Sequence, residues 1–416
     1  MKRAFIALAA LLGGVGAALA LLVALNLRDE QSVDTAAPAS PATAAQVERG
    51  AYLALAGNCA GCHTARGGAP YAGGRAIETP FGTVHAGNLT PDADTGLGRW
   101  NAAQFWRALH NGRSADGRLL YPAFPYPQFT RITREDSDAL FAYLRQLPPV
   151  RQAARPHALR FPYDSQLALA VWRALFFRPG ALPAEPGRSA EWLRGRYLVH
   201  GLGHCSACHA PRNLLGATQD EQRLGGAPIP MQDWYAPALN SPAEAGVADW
   251  DTAQVVQLLK TGRSSRGSVL GPMAEVVYRS LQHLQESDLR AIAVYLQSLP
   301  QVAAVPATAA AMPNDRGREI YERRCADCHG SDGRGVPGAY PALAGNRKVT
   351  MASSANLVLI VVNGGFPPAT AGNPRPYGMP PFGQELGAAD IAAVLSHIRA
   401  SWGNHAAPVS ELEVLK

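Results

Sequence analysis

Six cysteines stand in three pairs of identical spacing: Cys59 with Cys62, Cys205 with Cys208, and Cys325 with Cys328. A histidine follows each pair directly, at His63, His209 and His329. Two thiols separated by two residues reach one edge of a porphyrin and add to its two vinyl groups. The adjacent imidazole then lies under the iron as an axial ligand. The pattern predicts three covalently bound haem c groups. Zinc is the competing use of Cys-x-x-Cys, but it needs a second ligand pair at a suitable spacing, and none follows any copy. The three motifs use every cysteine, so no thiol remains for a disulfide or a nucleophile.

A short segment ending in leucine follows each motif: Gly87-Asn88-Leu89, Pro237-Ala238-Leu239 and Pro341-Ala342-Leu343. These segments resemble the loop of small class I cytochromes c in which a backbone carbonyl accepts the Nδ1–H of the histidine, fixing its tautomer and strengthening it as a donor. A methionine opposite the histidine would complete the iron's coordination and raise its potential. Met379, in Tyr377-Gly378-Met379-Pro380-Pro381-Phe382, and Met273, in Gly271-Pro272-Met273, occupy that place in the third and second copies. The first copy has Tyr121-Pro122-Ala123-Phe124-Pro125-Tyr126 instead, and no methionine lies between Met1 and Met231. Its sixth position is open, or is filled by His85 or His110. In each case its potential is expected to fall below the other two.

The elements that must hold these residues repeat. An offset of 150 places Trp100 on Trp250, Ala103-Gln104 on Ala253-Gln254, Gly112-Arg113-Ser114 on Gly262-Arg263-Ser264 and Pro122 on Pro272. A repeat of this size means duplicated domains. Each reads as helix, haem motif, loop, helix, ligand loop, helix. Ala139–Leu147, Leu289–Leu299 and Ile391–Ile398 carry apolar residues at helical spacing, with Ser287-Asp288 and Asp390 as helix-start residues. No strand alternation is apparent. The predicted fold is all-α: three tandem class I cytochrome c-like domains behind an N-terminal transmembrane helix. The boundaries are 46–150, 191–302 and 316–405. An inter-domain segment covers 151–190, and linkers cover 28–45 and 303–315.

Lys2 and Arg3 precede an apolar run over 4–27 that is long enough, as a helix, to cross a bilayer core. The run continues through Leu21–Leu25, past the small-residue cleavage site that Ala18-Leu19-Ala20 would offer, which favours an anchor over a cleaved signal. Either reading exports the rest of the chain, to the periplasmic side of the inner membrane. The two cations keep the N-terminus cytoplasmic. Residues 29–46, rich in Ala, Pro, Thr and Ser, read as a tether. The segment Ser165–Phe177 is apolar but too short to span. It reads as a helix packing the first domain on the second, with contact to a membrane surface or a partner as the alternative.

Of 416 residues 47% are hydrophobic and 17% charged, which excludes bulk disorder. The net charge of +6 comes without a basic run interleaved with aromatics, so nucleic acid is not a partner.

With these pieces assembled, residues 46–405 resemble the tri-haem cytochrome c subunit of membrane-bound bacterial dehydrogenases. The marks are Thr79-Pro80-Phe81-Gly82-Thr83, Asn88-Leu89-Thr90-Pro91-Asp92, Thr95-Gly96-Leu97-Gly98, Asp116-Gly117 and Leu120-Tyr121-Pro122-Ala123. Phe161-Pro162-Tyr163, Trp172 and Leu175–Gly180 resemble the family's inter-domain segment. The resemblance implies an electron-transfer subunit serving a large subunit that is a quinoprotein, flavoprotein or molybdenum enzyme. That subunit would oxidise an alcohol, sugar or aldehyde, with ubiquinone or a terminal oxidase as acceptor. The family commonly has Met where Phe124 stands, and members sharing Phe resemble partners of molybdenum hydroxylases. No Gly-rich phosphate loop or substrate-binding cluster points to organic chemistry in this chain. The rivals are a haem enzyme, reacting with peroxide or a gas at an open first haem, and a stand-alone electron shuttle.

Overall fold

The computed structural model describes residues 2–30, 32–33, 41–303, 311–312 and 314–415. Parts of the expected tether and of the 303–315 linker lie outside these residues. The chain forms two compact units: one of residues 1–54, 59–184 and 214–217, the other of 55–58, 185–213 and 218–416.

The first unit begins with α1 (Lys2–Asn26), whose span Phe5–Asn26 is long and apolar enough to cross a membrane, with a mean hydropathy of 2.5. Next come α2 (Ala44–Ala56) and α3 (Cys59–His63). A hairpin follows, of β1 (Ala76–Thr79) and β2 (Gly82–His85), in register Ile77 to Val84. Helix α4 (Ala102–Asn111) starts in a capping box made by Asn101 and Gln104, and Gly112 ends it at φ +59°. Then come α5 (Tyr126–Phe129) and α6 (Arg134–Leu144). The segment expected to lie between domains folds back on this unit. Its β3 (Ala158–Leu159) joins β2, and α7 (Gln166–Phe176) follows.

In the second unit α8 (Ala190–His200) leads to α9 (Ser206–His209), the pair β4 (Ala227–Pro228) and β5 (Tyr235–Ala236), and α10 (Thr252–Thr261). Helix α10 is capped by Asp251 and ended by Gly262 at φ +79°, so the aligned Ala103-Gln104 and Ala253-Gln254 lie in corresponding helices that end at the aligned Gly112 and Gly262. A hairpin of β6 (Arg263–Ser264) and β7 (Gly267–Ser268), then α11 (Pro272–Arg279) and α12 (Glu286–Gln297), complete this half. The rest comprises α13 (Asp315–Arg324), α14 (Ala326–His329), α15 (Arg347–Thr350), α16 (Ala355–Asn363), α17 (Ala388–Ala400) and α18 (Glu411–Val414).

The fold is thus mostly helical rather than all-α. The strands are two to four residues long, too short to carry alternation. The β1–β2 hairpin turns tightly at Gly82, which has φ +117°.

One helix crossing recurs three times: α2 with α6, α8 with α12, and α13 with α17. At its centre is a glycine whose Cβ would overlap a carbonyl of the facing helix: Gly50 at Ala139, Gly195 at Ala291, and Gly317 at Ala393. The preceding arginine reaches an aspartate in the first turn of the facing helix. Arg49 Nε lies 2.7 Å from Asp136, Arg194 Nε 2.8 Å from Asp288, and Arg316 Nε 2.6 Å from Asp390. Asp288 and Asp390 therefore sit inside their helices, which begin at Glu286 and Ala388, and take the arginine rather than the cap. The close backbone approach explains the glycine, and burial of the Asp136 and Asp288 carboxylates explains their cations, while the Asp390 carboxylate is only partly buried. Beside each crossing an aromatic pair closes the core: Tyr71 with Tyr143, Trp192 with Tyr295, and Tyr321 with His397.

Candidate haem sites

Each Cys-x-x-Cys-His run is one helical turn. His209 N–H donates to Cys205 O and His329 N–H to Cys325 O, both at 2.9 Å. A turn of helix sets residues i and i+3 on one face, so the two sulfurs of each motif share a side. In the first two motifs an arginine braces the turn. Arg75 donates to Gly61 O and Arg212 to Ala207 O, each the residue before the second cysteine.

The histidines are held by the expected loops. His63 Nδ1 lies 2.7 Å from Gly87 O, His209 Nδ1 2.7 Å from Pro237 O, and His329 Nδ1 3.0 Å from Pro341 O. A carbonyl only accepts, so Nδ1 carries the proton and Nε2 keeps its lone pair. Burial pushes all three imidazoles below their ordinary pKa, against the pull of the carbonyl, which keeps them neutral.

A second layer escaped the sequence reading. The carbonyl of each histidine accepts from a glycine N–H: Gly73 at 2.8 Å, Gly226 at 2.9 Å and Gly335 at 2.7 Å. All three glycines have left-handed backbone, with φ of +79°, +77° and +63°. A Cβ would press on the very loop that supplies the Nδ1 acceptor: 2.6 Å from Gly87 O, 2.6 Å from Ala238 N and 2.7 Å from Pro341 O. Two residues earlier, Tyr71, Leu224 and Gly333 are left-handed too. Their carbonyls accept from Leu89, Leu239 and Leu343 N–H at 2.7–2.8 Å. The terminal leucine of each loop thus has a backbone role, clamping the loop against the histidine. The one residue type common to the three copies is the glycine, and its unequal distance from the histidine hides it in the sequence.

The donor set fits covalently attached haem: paired thiols on one face and a neutral imidazole with Nε2 available. It does not fit a thiolate metal site. Burial, reinforced by the neighbouring cysteine, pushes the Cys59 and Cys205 thiols up to about 12 and Cys325 to about 11. Among the described residues, moreover, no cluster of three or more His, Cys, Asp or Glu is placed to hold a metal ion.

Met379 is fixed by reciprocal backbone bonds with Gly365 (2.8 and 3.0 Å), and it packs against the core cluster that includes Val358, Val361, Ile391 and Leu395. Met273 is the second residue of α11, after Gly271, whose φ of +56° lets the chain turn beneath Trp234. In the first unit Phe124 packs on Phe129, ring centroids 5.5 Å apart. His85 is on β2, two residues before the carbonyl that holds His63, with its Nδ1 2.9 Å from Pro156 O. His110 stacks on Trp106 at 4.5 Å and faces Thr130. The fold-back of β3 adds a histidine that the expected boundary at 150 had excluded. His157 Nδ1 accepts from His85 N–H at 3.1 Å, and its ring meets Tyr121 of the Phe124 loop edge-on at 5.1 Å.

A cytochrome c family model matches residues 47–148 and 314–402. The chain is also 39% identical over 389 residues to the cytochrome c subunit of alcohol dehydrogenase (quinone) from Gluconacetobacter polyoxogenes, covering 88% of this chain and 82% of that one. This chain belongs to the family of dehydrogenase cytochrome c subunits. The fructose dehydrogenase cytochrome subunit of Gluconobacter japonicus is 36% identical over 423 residues, covering 94% of this chain and 85% of that one. A nicotinate dehydrogenase subunit of Pseudomonas putida is 43% identical over 402 residues. The match covers 93% of this chain and 33% of that protein, so the chain spans about a third of its length. The cytochrome is accordingly an electron-transfer subunit of a dehydrogenase, and the family's cofactor is covalently bound haem c.

Proposed function

We propose that the cytochrome carries three haem c groups in three domains, 46–150, 191–302 and 316–405, and relays electrons from a periplasmic dehydrogenase subunit to ubiquinone or a terminal oxidase. Cys59, Cys62 and His63 hold the first haem, Cys205, Cys208 and His209 the second, and Cys325, Cys328 and His329 the third. Met273 and Met379 are the sixth ligands of the second and third. The observation that carries this reading is the threefold recurrence of one arrangement: histidine Nδ1 on a loop carbonyl, histidine carbonyl on a left-handed glycine. Haem c supplies reversible one-electron chemistry at its iron. The residues of the chain fix its ligands, exclude water and set its potential.

Helix α1 is read as the membrane anchor, with the domains on the periplasmic face. The names of the relatives support a partner that oxidises an alcohol, a sugar or a heteroaromatic acid such as nicotinate. A mild-detergent pull-down from native membranes tests the assignment. The expected result is a stoichiometric large subunit with its own cofactor and three haems per cytochrome chain. A cytochrome that emerges alone and fully active would make it a free shuttle. Phe124 in place of a methionine gives a second reading its one support. Carbon monoxide binding to the reduced protein together with peroxide turnover would make the first site reactive rather than purely conductive.

A further inference from the structure

Helix α7 exposes an apolar stripe that nothing among the described residues of its own unit covers. Leu167, Val171 and Leu175, at i, i+4 and i+8, are 61%, 43% and 64% exposed. The only charge in the helix, Arg173, is 2% exposed and points the other way, over the rings of Tyr126 and Phe177. Gln166, at the start of the helix, is tied to Leu119 N–H and C=O. A stripe without a polar group, on a helix too short to span, has the pattern of a segment lying in a membrane interface.

The position of α7 points to the same surface. The last turn of α1 is fastened to it: Asn26 Nδ2 donates to Ala170 O at 3.0 Å, and Arg173 Nε donates to Asn26 Oδ1 at 3.1 Å. Glu30, just past α1, accepts from Arg113 Nε at 2.9 Å. The stripe is therefore held beside the end of the proposed anchor. Exposed Arg178 follows α7, exposed Arg160 and Asp164 precede it, and Phe161 adds a large exposed ring. Cations flanking an apolar stripe suit anionic lipid headgroups.

We propose that the Leu167–Val171–Leu175 face of α7 inserts into the headgroup region of the anionic leaflet beside α1. This rests on the reading of α1 as an anchor, and the test separates the two. Full-length chains with Val171→Cys, Leu175→Cys, Leu12→Cys or Glu135→Cys are nitroxide-labelled and reconstituted in phosphatidylcholine–phosphatidylglycerol vesicles. Accessibility to oxygen and to a nickel chelate is then measured. The expected result is high oxygen and low nickel access at 171 and 175, with the opposite balance at the control 135. Aqueous values at 171 and 175 would overturn the proposal. So would shielding from both relaxants with an immobilised line shape, which would mean that a protein subunit covers the face. The label at 12 reports on the anchor independently: an aqueous value there removes α1 from the membrane, whatever α7 does.

Discussion

At the scale of residues, the haem sites depend on backbone conformation as much as on ligands. Gly226 must hold φ +77° with Ala238 N where a Cβ would stand. Gly226→Ala should cost about 1–3 kcal/mol from left-handed strain and crowding, and should perturb the visible spectrum of the His209 haem. Gly225→Ala, where a Cβ meets nothing within 4 Å, is the matched control and should be neutral in thermal unfolding. Asp92 is a second case. The Thr95 hydroxyl and N–H, both at 2.7 Å from Oδ1, hold its carboxyl below the usual range, with the Asp94 N–H and Arg151 adding to this. A carboxylate whose pKa is depressed by folding stabilises above its unfolded pKa, and that contribution is lost as pH falls through the folded value. Protection of the 88–98 turn from hydrogen exchange should therefore decline below about pH 4, the unfolded carboxylate range, and Asp92→Asn should abolish that dependence.

At the scale of elements, the thrice-repeated crossing is the common frame. The glycine lets two helices touch backbone to backbone, and the arginine–aspartate pair fixes their register. Because Gly195 has no room for a Cβ against Ala291 O, Gly195→Ala should force α8 and α12 apart and destabilise by about 1–3 kcal/mol. Calorimetry would read this as a fall of about 2–4 °C in Tm per kcal/mol. An unchanged Tm would mean that the crossing tolerates spreading. The motif turn, the ligand loop and the distal segment all hang from these helix pairs, so the loss should extend to the haem spectrum.

At the scale of the molecule, the second unit joins two of the proposed haem domains by polar contacts. Asn356 exchanges hydrogen bonds with the Tyr235 backbone at 2.8 and 2.9 Å. Arg263 Nη1 donates to Asn373 at 3.0 Å, and Arg347 Nη2 reaches Asp249 at 2.5 Å. A fixed pairing of two redox domains suits relay without a docking step between them. In the proposed assignment the three sites differ in distal groups: Phe124 in the first, Met273 in the second, Met379 in the third. A potentiometric titration should resolve the first haem as the most negative. Met273→Leu should lower the potential of one other haem and leave the third unmoved. A first haem of highest potential would overturn the assignment of distal groups.

The sequence by itself determined what is local. Cys-x-x-Cys-His needs only a helical turn, so its chemistry reads directly from spacing. The ligand loops were legible because a leucine-ended tripeptide follows every motif, and the last helix of each copy because its apolar residues recur at helical spacing. Tertiary structure decided what depends on contact between distant segments. Gly73, Gly226 and Gly335 stand at three different distances from their histidines, and only folding through loops of unequal length brings them to one place. Ser287-Asp288 and Asp390 read as helix starts because an acidic first turn suits both a cap and an ion pair. The arginine that decides between these lies on another helix. His157 entered the first unit through a two-residue strand with no alternation to betray it. The apolar spacing of α7 announced a helix, but which face would be covered depended on where Arg173 found its rings and where Asn26 found Ala170.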